Sequence, residues 1–145
     1  MDASEIDDMT HHYAIAALWS STDTRCQINA ESTCDHDGRK GADACDTCRY
    51  GGEPLDREFG VEDIAPETMA EFRSDCEAFY ESCADDLADM EAGQAGHDFW
   101  LTRNGHGAGF WDRGLGDRGE RLSEMARPFG SVDLFVTAEG TVSGQ

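Results

Sequence analysis

The chain of 145 residues carries 31 acidic against 11 basic residues, a net charge of −20, and 39% apolar residues that include three Trp, seven Phe and three Tyr. Its length suits one domain, 1–145, burying about 68% of its unfolded surface, and its aromatic content excludes a disordered acidic tail. The longest apolar run, 14–19, is far short of the roughly 18 residues that span a bilayer, and the negative charge opposes direct contact with nucleic-acid phosphates or anionic lipid.

The first predicted element is a helix over 7–20. Ile15, Leu18 and Trp19 fall at i, i+3 and i+4, Met9 and His12 extend the same face, and Asp7 and Asp8 suit the positive end of the helix dipole. Ser20-Ser21-Thr22-Asp23 should stop it.

Residues 25–52 hold Cys26, Cys34, Cys45 and Cys48, one histidine, His36, and little that would form a core. Cys45-Asp46-Thr47-Cys48 is a C-x-x-C pair, the half-site with which two thiolates grip a tetrahedral ion. Cys26 and Cys34 supply the second half, with His36 as the alternative ligand. A structural Zn2+ on four of these residues would provide folding energy that the segment otherwise lacks. Two disulfides, in an oxidising compartment, or free thiols are the alternatives. A redox role for the C-x-x-C lacks the usual strand before it and helix after it. Asp35-His36-Asp37-Gly38 lacks the closing Glu of a calcium loop, because Ala44 stands there.

Pro66 opens a second helix running from Glu67 to about Met90. Met69, Phe72, Cys76, Phe79, Tyr80, Cys83, Leu87 and Met90 recur at spacings of three and four opposite an acidic face. Cys76 and Cys83, two turns or about 10.5 Å apart, are too distant for a mutual disulfide and read as small core residues. Gly93-Gln94-Ala95-Gly96 is expected to end this helix.

A strand is predicted over 98–103, a turn at Asn104-Gly105-His106-Gly107-Ala108-Gly109, and a returning strand over 110–112, because Asn-Gly is a strong hairpin signal. Alternation would put Phe99, Leu101 and Arg103 on one face and Asp98, Trp100 and Thr102 on the other. A short helix over 117–127, with Leu122, Met125 and Ala126 inward, precedes strands at 132–137 and 141–142. The expected fold is α+β: two longer helices and a short helix packed on a small antiparallel sheet containing a β-hairpin, with a Cys-rich insertion over 25–52.

The stretch His97-Asp98-Phe99-Trp100-Leu101-Thr102-Arg103-Asn104-Gly105-His106-Gly107-Ala108-Gly109-Phe110-Trp111-Asp112-Arg113-Gly114 resembles the signature of a family of small proteins encoded by tailed phages, prophages and related viruses. Ala17-Leu18-Trp19-Ser20-Ser21-Thr22-Asp23, Gly52-Glu53-Pro54-Leu55-Asp56, Asp63-Ile64-Ala65-Pro66 and Asp75-Cys76-Glu77-Ala78-Phe79 extend the likeness. The resemblance implies a viral origin and a helix-plus-hairpin fold, and brings no agreed activity. It also implies that the piece between Asp23 and Gly52 is a decoration of the common fold.

Binding is the leading functional expectation, with a host or viral protein as partner and the host cytoplasm, or alternatively the virion, as location. The first residues, Met1-Asp2-Ala3-Ser4-Glu5, lack the basic start and apolar core of a secretory signal. An exposed Trp–Arg patch is typical of hot spots, which makes Trp100, Arg103, His106, Trp111 and Arg113 the candidate binding residues. Trp100 and Trp111 pairing across the hairpin as core is the competing expectation. Twenty-four of the acids lie in residues 1–92. That bias fits adaptation to high salt, a solvated surface without further meaning, or mimicry of DNA phosphates toward a host nucleic-acid-binding or defence protein. A virion component and a small enzyme are the remaining classes; in the enzyme, His106 with Asp112, or His97 with Asp98, would act as base and orienting carboxylate, and Arg103 would hold an anion.

Overall fold

The structure, a computed structural model, describes residues 2–23, 53–105 and 109–145. The cysteine segment and His106 therefore lie outside the described residues, and the zinc expectation with them. Among the described residues there are four α-helices: α1 Ala3–Ser20, α2 Pro66–Leu87, α3 Ala92–Arg103 and α4 Asp117–Ala126. The strands are short: β1 Thr22–Asp23 pairs antiparallel with β2 Glu53–Pro54, and β3 Leu134–Val136 pairs antiparallel with β4 Val142–Gly144. The architecture is α+β and mostly helical. The helices pack chiefly on one another, α1 against α3 above all, with the β3–β4 hairpin at their side.

α1 begins earlier than the apolar spacing indicates, because Asp2 caps it. The Asp2 carboxylate accepts from the Glu5 amide at 2.9 Å, and the Glu5 carboxylate accepts from the Asp2 amide at 2.9 Å. Ile6, Met9, Tyr13, Ala16 and Ala17 face the core. The inward face is thus not the expected one: Met9 and Leu18 are buried, but Ile15 and Trp19 are 41% and 54% exposed. α2 follows its predicted pattern, with Pro66 at its first turn and Phe72, Cys76, Phe79, Cys83 and Leu87 buried. Cys76 and Cys83 are free thiols in the interior.

The strand expected over 98–103 is overturned. These residues form the C-terminal half of α3, which is buried from Asp98 to Arg103. The glycines read as a helix stop are packing sites instead. A Cβ at Gly96 would lie 2.0 Å from the Met9 carbonyl oxygen, and one at Gly93 would lie 2.9 Å from the His12 ring. At Gly96, where the obstacle is backbone, only hydrogen lets the two helices come so close. Asn104-Gly105 closes α3 rather than a hairpin: Gly105 has φ +74° and its amide donates to Thr102. Residues 110–112 form a 3-10 turn, not a returning strand, with Phe110 buried against Phe79. The hairpin of this fold is β3–β4, near the predicted 132–137 and 141–142. Met125, expected inward, is 42% exposed.

Aromatic rings fill the centre. Phe79 stacks on Phe99 at 4.1 Å between centroids, and Tyr13 meets Phe72 and Trp100 edge-on. The Trp100 indole N–H donates to Ser20 at 2.7 Å. Among the described residues no helix is long and apolar enough to cross a membrane.

Candidate functional site

Two polar clusters grow out of α3, one inside and one at the surface. The inner one belongs to Arg103. Its Nε donates to the Gly130 carbonyl at 2.7 Å, its Nη2 to the Phe129 carbonyl at 2.7 Å, and its Nη1 to the Tyr13 hydroxyl at 2.9 Å and the Asp75 carboxylate at 2.6 Å. The guanidinium also lies over the Phe99 and Phe129 rings. Burial pushes the Tyr13 hydroxyl well above its ordinary pKa, an effect that Arg103 partly opposes. With the side chain 4% exposed, Arg103 ties α3 to α1, α2 and the chain before β3. It does not form the exposed Trp–Arg patch, nor is it free to hold an anion. Trp100, 1% exposed, is likewise interior, and it packs on Tyr13 rather than on Trp111, which is 55% exposed.

The outer cluster centres on Asp98, whose side chain is fully buried. Its carboxylate accepts from Arg113 Nη2 at 2.8 Å, Arg113 Nε at 3.1 Å and Gln94 at 2.9 Å. The hydrogen bond to Asp98 raises the Arg113 pKa and so holds the guanidinium charged. His97 Nδ1 stands 3.4 Å from the same carboxylate. Asp112, the other enzymatic candidate, is exposed on its 3-10 turn.

Above Asp98 an open groove of about 610 Å3 runs between α1 and the start of α3. Glu5, Asp8 and His12 line it from α1, Gln94 and His97 from α3, together with Glu91 and Arg113. His12 Nδ1 lies 3.1 Å from the Asp8 carbonyl and 3.5 Å from its carboxylate. The groove continues into an apolar surface: the His97 and Trp19 rings lie 6.2 Å apart at 33°, and Ile15 stands one turn before Trp19. His97 and Asp98 are adjacent, as the sequence requires, and the structure adds Arg113 as their partner. Trp19, Ile15 and His12 escape a reading by spacing, because the same spacing is a core signal. No group of three or more His, Cys, Asp or Glu suited to a metal occurs among the described residues.

No family model, curated protein or solved structure matches the chain.

Proposed function

We propose that this chain is a virus-encoded accessory protein that binds another protein through the outer face of α1 and the adjoining start of α3. Its place of work would be the host cytoplasm, with the virion as the alternative. The viral origin rests on the motif resemblance. The binding reading rests on one observation: Trp19, 54% exposed, lies beside His97 and Ile15 on a surface otherwise rich in carboxylates. Exposed Trp grouped with other apolar side chains is the composition from which contact hot spots are made. An enzymatic reading has less support, because Arg103 is engaged in the interior and Asp98 is saturated by Arg113 and Gln94.

The outer face of α2 favours a second reading, mimicry of nucleic-acid charge. Glu67, Glu71, Glu81 and Asp85 are all exposed along one side of that helix. A four-residue step spaces such carboxylates by about 6 Å along the axis, whereas one DNA strand carries a phosphate about every 3.4 Å. From Glu67 to Asp85, about 27 Å, the four carboxylates average roughly one per 9 Å, well under half the linear charge density of a single strand, and binding at α1 remains the leading reading.

Zinc completes the proposal. Cys26, Cys34, Cys45 and Cys48, with His36 as the alternative, fall between β1 and β2, whose antiparallel pairing supports a self-contained excursion from the fold. Chelation is expected to leave the helical circular dichroism nearly unchanged. Loss of the whole helical signal would contradict a decorative zinc segment.

The binding reading is tested by capture from host extract with wild type, an Ile15→Ser/Trp19→Ala variant and a Trp111→Ala variant. A partner kept by wild type and Trp111→Ala but lost by the double variant is expected. Equal capture by all three, with displacement by DNA, would transfer the reading to α2.

A further inference from the structure

The face that carries this binding reading also specifies the kind of partner. Glu5, Asp8, His12, Ile15 and Trp19 recur at alternating steps of three and four, so they form one seam about 21 Å long on the outside of α1. This is the spacing at which a second helix lays its own side chains between those of the first. All but the half-buried His12 are exposed. A helix apolar on every side is ordinarily buried on every side; α1 is covered by α3 and α2, and Glu5, Asp8, Ile15 and Trp19 are left exposed.

The two halves of the seam differ in chemistry. Its N-terminal half is acidic, and Glu91 adds a carboxylate across the groove. Among the described residues the arginine that lines this groove, Arg113, is already neutralised by buried Asp98. Its C-terminal half is apolar, with Ile15 one turn before Trp19 and the Trp19 ring beside that of His97. A second copy of this chain is a poor occupant. Antiparallel pairing would set carboxylates on Ile15 and Trp19, parallel pairing would set carboxylates on carboxylates, and each copy carries a net charge of −20. We propose that the seam receives an amphipathic helix of a partner protein, apolar where it meets Ile15 and Trp19 and basic where it meets Glu5, Asp8 and Glu91. This inference rests on the binding reading above and adds the partner's chemistry.

The test uses the full chain and a displayed library of helical peptides about five turns long, apolar along one stripe and randomised elsewhere. Selected peptides are expected to group Lys or Arg at one end of the stripe. Affinity should fall about tenfold or more with Trp19→Ala or Ile15→Ser. An Asp8→Asn/Glu91→Gln variant should lose roughly threefold or more at low salt and show a weaker salt dependence. Glu5 is left intact because it caps α1. Uncharged or acidic binders that still require Trp19 would overturn the basic partner while leaving the face as a binding site. Binders indifferent to Trp19 and Ile15, no binders at all, or dimerisation of the chain through Trp19 would overturn the inference outright. Capture from host extract that is indifferent to Trp19 would separately remove the reading beneath it.

Discussion

α1 carries the same spacing twice. Ile6, Met9, Tyr13 and Ala16 form one seam and Glu5, Asp8, His12, Ile15 and Trp19 another, offset by one residue, or about 100° around the helix. The first is buried and the second is open to solvent. Spacing does not separate them; what lies opposite does. Gly96 lets the backbone of α3 close on the Met9 carbonyl, and Arg103 fastens Tyr13 to α2 and to the chain before β3. Gly93 approaches the outer seam at His12 and His97 flanks Trp19, but Glu5, Asp8 and Ile15 stay exposed. Stability is therefore concentrated on one side of this helix, and recognition is assigned to the other.

The comparison breaks most sharply at Arg103. Arg103→Ala would leave the Tyr13 hydroxyl, the Asp75 carboxylate and two carbonyls without their donor, and is expected to cost about 3 kcal/mol in urea unfolding. Arg103→Lys should recover little of this, because a single ammonium does not reproduce the fork. If Arg103→Ala unfolds at the wild-type midpoint, the inner side is not the stabilising one. Next comes Gly96→Ala, which forces α3 away from Met9 and should lower stability by about 1–3 kcal/mol despite the better helix propensity of Ala.

A gentler probe of the inner side is alkaline pH. Burial pushes the Cys76 thiol from an ordinary 9.0 up to about 12, and Tyr13 moves in the same direction from 10.0. Below 9.0 both states hold the Cys76 proton and its contribution is complete. As pH rises the unfolded thiol ionises while the folded one resists, so the unfolded state binds fewer protons and stability falls toward pH 12. Cys76→Ala should flatten that part of the decline. An unchanged slope would remove Cys76 from the explanation. The smallest expected effect is on the outer seam: Trp19→Ala should shift stability by no more than about 0.5 kcal/mol. A larger loss would make Trp19 a core residue in disguise.

Much of the framework was legible before any coordinates. α2 follows from Pro66 and the Phe72–Cys76–Phe79–Cys83 repeat, and the terminal hairpin from its apolar runs. α3 was not legible for a definite physical reason. From Asp98 to Arg103 it is buried on every side, so it has no polar face to reveal a period, and Phe99 and Trp100 by themselves favour a strand. Gly93 and Gly96 then look like breakers, since a sequence does not show the neighbouring helix that needs the missing Cβ. The same blindness misplaced the site. Trp100 and Arg103 belong to the interior, Arg113 finds Asp98 only because the chain returns through its 3-10 turn, and Trp19 looked like core.

Recognition by the outer seam is probed by placing a photo-crosslinking amino acid at position 15, and separately at position 111, and irradiating each protein in host extract. A specific adduct is expected from position 15, abolished by Trp19→Ala, and none from position 111. An adduct from position 111 with none from position 15 would contradict it, and would return recognition to the turn that follows α3.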